Sequence, residues 1–246
     1  MPRYRHLRVL AAAGAVAALC TLSGCFNAPG GSSSNSSGPS FGNGDVTASS
    51  QGGHTVNGTV RVSDGEKTGD LSTVNGSIQI GDNATLTSAH TVNGSITVGS
   101  HTTATDLSSV NGSISLEDGV RVSQAVRTVN GSLTLESGVD VEGALTNVNG
   151  SIHLSAAHVG GGIVTANGNI TVEGASHVDG GILVQKPPEG WFQFTHVPRV
   201  VIGPGSVVTG DLRFERKVDL YVSDKAKIGP VTGATPQRYP GEGPIG

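Results

Sequence analysis

Thr73-Val74-Asn75-Gly76-Ser77-Ile78 is the stretch on which the fold turns, because the chain repeats it, with small variations, seven times. Its asparagine recurs at Asn57, Asn75, Asn93, Asn111, Asn130, Asn149 and Asn167, in steps of 18 or 19 residues. A period that short and regular is too small for a pair of helices and marks one structural unit stacked on itself. It describes a scaffold, and no catalytic chemistry is written into it.

The residues around the phrase define one turn. Val110, Ile114, Leu116, Val120, Val122 and Val126 are apolar, and Val129, Leu133, Leu135, Val139, Val141 and Leu145 repeat them one period later. Ile114/Leu116, Val120/Val122, Leu133/Leu135 and Val139/Val141 alternate with other residues at period two, the mark of short half-buried strands. Asn111-Gly112, Glu117-Asp118-Gly119 and Ser137-Gly138 supply turn formers that tolerate positive φ. Each turn therefore reads as three short strands joined by tight bends. With these six apolar side chains expected to face inward, one such turn cannot enclose its own core, so successive turns must pair backbone to backbone at about 4.8 Å. The predicted fold is all-β, a single-stranded parallel β-solenoid.

The N-terminus carries Arg3, Arg5 and Arg8, followed by an apolar, Ala-rich run over 9–22 that is too short to span a bilayer. It ends in Leu22-Ser23-Gly24-Cys25, which resembles the lipobox of bacterial lipoprotein precursors. The resemblance implies cleavage before Cys25, acylation of that cysteine and a domain held at a membrane by acyl chains. Phe26, where inner-membrane lipoproteins often carry Asp, favours the outer membrane, and the expected location is the cell envelope with the protein facing the periplasm. Cys20 lies in the discarded run, so the mature chain keeps only Cys25 and no disulfide is expected. Residues 1–24 are read as the signal peptide, 25–53 as the lipidated cysteine with a flexible Ser/Gly tether, 54–232 as the solenoid and 233–246 as a loose tail.

The period breaks once, over 185–199, where three prolines accompany Trp191, Phe192 and Phe194. These aromatics are expected either to cap the core or to anchor an interaction, since parallel solenoids leave strand edges and apolar core at their ends.

The repeats, and most closely residues 200–228, resemble the bactofilins, polymer-forming cytoskeletal β-helix proteins. The Val-Asn-Gly-Ser phrase also resembles adhesin-like domains of exported bacterial proteins. The resemblance implies a right-handed, three-sided β-helix and polymerisation through its ends.

Candidate sites are few. The asparagine column is expected to be structural, its side chains bonding from turn to turn. Six of its members also read as glycosylation acceptors, a match the periodicity explains by itself. Asp64, Asp82, Ser100, Asp118 and Ser137 form a second column, expected to be a solvated edge. The calcium alternative lacks the glycine-aspartate phrase of calcium-binding β-rolls. His54, His90, His101, His153, His158, His177 and His196 show no zinc spacing, although His158 and His177 lie one turn apart. No nucleophile-base set, carboxylate pair or phosphate loop stands out, so no catalytic residue, metal or cofactor is expected. Residues 44–184 carry 4 basic and 13 acidic side chains, a net of −9, and residues 185–246 carry 8 and 6, a net of +2. That balance excludes a nucleic-acid binder and suits association with itself, with envelope polysaccharide or with an envelope protein.

Overall fold

The computed structural model describes residues 41–186 and 196–241. They form a β-solenoid of about 10 turns, built from three parallel sheets with no helix. The first sheet has 11 strands, from Phe41–Asn43 to Val231–Thr232. The second also has 11, from Val46–Thr47 to Gln237–Tyr239. The third has 7, from Thr103–Ala104 to Lys227–Ile228, and single bridges extend its ladder back through Thr85 to Lys67.

One turn shows how the sequence produces this. Asp106–Asn111 lies in the first sheet, Ile114–Leu116 in the second and Arg121–Val122 in the third. Alternation sends Leu107, Ile114, Leu116 and Val122 inward, where each is essentially fully buried. The next turn places Val126, Leu133, Leu135 and Val141 directly above them in register. The result is one continuous apolar column running from Ala48 to Ala226. Because each turn covers the one below, the core has no lateral layer and depends on stacking throughout.

The inside/outside assignment differs from expectation at one position of the phrase. Val110 and Val129 point outward and stay half-exposed, with Val56, Val74, Val92 and Val148 in the same row. The residue before each valine is the buried one: Thr55, Thr73, Thr91, Ser109, Thr128 and Asn147. Strand parity explains the swap, since Leu107 and Ser109 share the inner face and Val110 falls between that face and the corner. A hydroxyl is tolerated inside because a carbonyl waits for it there, as described below.

The solenoid also extends beyond both expected limits. Asn43-Gly44 is an eighth copy of the corner that the 18-residue period conceals, because the first turn is short. Asn43 pairs with Asn57 only 14 residues later, the chain turning back near Ser49 and Gly52 without a third-sheet strand. At the far end Gln237–Tyr239 joins the second sheet beside Asp219–Ser223, although it has no apolar alternation. Tyr239 instead buries its ring and donates its hydroxyl to the Ile202 carbonyl at 3.2 Å. Burial and the nearby Glu173 carboxylate raise its phenol above the ordinary tyrosine range.

The 185–199 stretch falls between the strands Ile182–Val184 and Arg199–Ile202, with further strands of all three sheets beyond it. Register is kept across it, Ile170 pairing with Val200 over a 30-residue turn. Trp191, Phe192 and Phe194 lie outside the described residues, as does Cys25.

Candidate functional site

The corner between the first and second sheets is bonded from turn to turn by both side chains and backbone. Each asparagine side chain donates Nδ2–H to the Oδ1 of its counterpart one turn earlier, from Asn57 to Asn43 through to Asn149 to Asn130, at 2.9 to 3.0 Å. The glycine after each asparagine from Asn43 to Asn130 donates its N–H to the asparagine carbonyl of the next turn, as Gly76 does to Asn93 and Gly94 to Asn111. The buried threonine completes the set by donating to a glycine carbonyl: Thr91 to Gly76 at 3.0 Å, Ser109 to Gly94 at 3.1 Å and Thr128 to Gly112 at 3.0 Å. The phrase Thr-x-Asn-Gly therefore encodes three inter-turn bonds per corner.

Glycine is required here chiefly by proximity. A Cβ on Gly76, Gly94, Gly112 or Gly131 would run into the carbonyl oxygen of the glycine one turn below, and none of these four has φ in the left-handed region. The left-handed column lies at the other corner, after the second sheet, and includes Gly65, Asn83, His101, Gly119, Gly138 and Ala156. Just before it stand the acidic positions. Asp64 Oδ1 accepts the N–H of Asp82, Asp82 that of Ser100 and Asp118 that of Ser137, at 2.8 to 3.1 Å. These exposed carboxylates cap backbone groups of the next turn.

Asn167 departs from the column. Its main-chain N–H bonds to the Val148 carbonyl, and its Oδ1 accepts from Arg216 at 3.2 Å. Arg216 also donates to the carbonyls of Ala166 and His196, while Asn169 Oδ1 accepts from Arg199 N–H at 2.9 Å and contacts His196 Nε2 at 3.1 Å. This network holds the return leg of the excursion. Apart from Asn167 its members carry no repeat signature, and only their position beside the broken period points to them.

The third sheet carries the one interacting group of titratable side chains at its surface that stands out. Asp140, His158 and His177 stack in register on successive strands. His158 Nδ1 meets Asp140 Oδ1 at 2.7 Å and its Nε2 meets Asp179 Oδ2 at 3.1 Å, while His177 Nε2 meets Asp179 Oδ1 at 3.0 Å. The two rings are tilted at 47° with centroids 6.0 Å apart. Hydrogen bonds to Asp140 and then Asp179 raise His158 above the usual histidine value, and the bond from His158 holds Asp179 below the usual carboxylate range. The sequence paired the two histidines, but Asp179 comes from the bend after the strand and Asp140 from a position occupied by Arg121 one turn earlier. Among the described residues no group of three or more His, Cys, Asp or Glu side chains is placed to hold a metal ion. His54 Nδ1 meets Ser72 Oγ at 2.7 Å and His90 Nδ1 meets Ser108 Oγ at 2.6 Å.

Comparison with known protein families, curated proteins and solved structures returns no match to this chain.

Proposed function

We propose that this chain is a non-catalytic cell-envelope lipoprotein, lipidated at Cys25 at the outer membrane and facing the periplasm, whose bactofilin-like solenoid is a scaffold that polymerises end to end. The observation that carries this reading is the state of the two ends. Among the described residues, Phe41–Asn43 and Val46–Thr47 at one end are paired on one side only, as are Lys227–Ile228, Val231–Thr232 and Gln237–Tyr239 at the other. Such edges are templates for another parallel strand. Residues 41–100 carry 2 basic and 5 acidic side chains, a net of −3, and residues 196–241 carry 7 and 4, a net of +3. Opposite charge at opposite ends favours a head-to-tail contact, and a heterologous contact that does not close into a ring propagates as a filament.

Negative-stain microscopy of the mature, unlipidated protein tests the proposal. Filaments one solenoid wide that shorten as salt is raised support it, and isolated rods at all protein concentrations oppose it. The alternative is an adhesin-like module for envelope carbohydrate or protein. The row of outward valines, with Val56 47 % exposed, beside a ladder of amides favours that reading. Isolated rods that bind envelope polysaccharide would turn the choice toward it.

A further inference from the structure

The corner that ends the asparagine column differs chemically from all the others. Asn57, Asn75, Asn93, Asn111 and Asn130 each have both side-chain heteroatoms in the ladder, Nδ2 donating and Oδ1 accepting. The glycine after each also has its N–H bonded to the next asparagine carbonyl. Asn149 donates to Asn130, but its Oδ1 is buried without a partner because Asn167 has been drawn away to Arg216. The Gly150 N–H makes no backbone hydrogen bond among the described residues. At the two remaining Asn-Gly pairs the glycine is still held, Gly44 by the Asn57 carbonyl and Gly168 by Thr165 Oγ1. The neighbouring Asn147, 2 % exposed, likewise has an unpartnered Oδ1.

An asparagine followed by glycine undergoes self-cyclisation when two conditions are met. The side chain must be free to swing Cγ toward the next main-chain nitrogen, and that nitrogen must be able to release its proton. A ladder bond at each side-chain atom prevents the first, and an inter-turn bond at the glycine prevents the second. Burying an unpartnered oxygen adds a cost that movement relieves. We propose that Asn149-Gly150 is a built-in modification site, converting spontaneously through a succinimide to aspartate and isoaspartate. The Gly150 nitrogen loses its proton to solvent and attacks Asn149 Cγ. The new N–Cγ bond forms as the Cγ–Nδ2 bond breaks, and the Nδ2 group takes a proton from solvent and leaves as ammonia. Water then opens either carbonyl of the five-membered ring. Reopening at the main-chain carbonyl leaves isoaspartate, whose extra backbone carbon displaces the carbonyl that Gly131 N–H now binds. The modification would thus mark, and with time loosen, the joint between the regular turns and those that carry the excursion.

The test is peptide mapping by mass spectrometry of the purified full-length protein held at mildly alkaline pH. Asn75, Asn93, Asn111, Asn130 and Asn149 all share the local sequence Asn-Gly-Ser, so local chemistry is constant among them. Asn149 is expected to convert roughly tenfold or more faster than Asn93 and Asn111, which must first open locally. In denaturant the five are expected to react at like rates. Equal rates in the folded protein would overturn the proposal, and so would a preference for Asn149 that persists in denaturant.

Discussion

Asn93 donates its side-chain N–H to Asn75 Oδ1 at 2.9 Å and accepts the same bond from Asn111, so each amide in the column is donor to one turn and acceptor from the next. Only an amide of this length fills both roles. Asn93→Asp keeps the acceptor, loses the donor and sets a carboxylate against the Asn75 oxygen. We expect a loss of about 1–2 kcal/mol at neutral pH, shrinking as pH falls and the carboxyl regains a proton to donate. Melting curves at neutral and acid pH check this, and a neutral-pH melt equal to wild type would show that the ladder contributes nothing.

Two glycine substitutions separate proximity from backbone handedness. Gly94→Ala forces a Cβ into the Gly76 carbonyl, whereas a Cβ on Gly138 meets nothing nearer than 3.7 Å and is opposed only by its left-handed φ of 72°. Gly94→Ala is expected to cost more than about 3 kcal/mol and Gly138→Ala about 1–2 kcal/mol. Chemical denaturation of both variants gives the order, and the reverse order would contradict the account of this corner.

The buried-hydroxyl column makes an expectation that hydrophobicity alone would invert. Thr128, 2 % exposed, donates to the Gly112 carbonyl, while Val129 faces outward. Thr128→Val should destabilise by about 1–2 kcal/mol by stranding that carbonyl, and Val129→Thr should stay within about 0.5 kcal/mol. A stabilised Thr128→Val protein would mean that the hydroxyl is dispensable.

His158 should titrate above an ordinary histidine, chiefly because of Asp140. A raised histidine contributes stability that is complete below its unfolded value and fades as pH rises through the folded one. The depressed Asp179 contributes above the ordinary carboxylate range and loses its share as pH falls through its lowered value. The cluster therefore contributes most between the carboxylate and imidazole ranges. Asp140→Asn should move the His158 midpoint downward in an imidazole NMR titration, and an unmoved midpoint would remove Asp140 as the main cause.

Most of the fold is legible in the sequence because a solenoid repeats its local rules. The period, the alternation at Ile114/Leu116 and the Asn-Gly corner each specify the same turn. The features that are not legible do not repeat. Asn43 belongs to a turn of a different length, Tyr239 acts through one buried ring, and Arg216 reaches across to Ala166 from a position with no counterpart. The outward valines mislead for another reason: composition marks them as core, and only the hydroxyl-to-glycine bond beside them shows which face is inside. The histidine–aspartate group was half visible, since register was predictable and the carboxylates that complete it were not.

Covalent capture tests the proposed end-to-end stacking. Register carries one column of the second sheet unbroken from Thr47 through Arg61 to Tyr221 and Gln237, so a second copy stacked in register would set its Thr47 beside Gln237 of the first. Adjacent parallel strands lie at a separation a disulfide spans. A Thr47→Cys, Gln237→Cys protein, made in a Cys25→Ser background and mildly oxidised, is predicted to run as a ladder of covalent multimers on a non-reducing gel, with either single-cysteine variant stopping at dimers. A double variant that remains monomeric at concentrations where the parent protein is assembled would contradict the account.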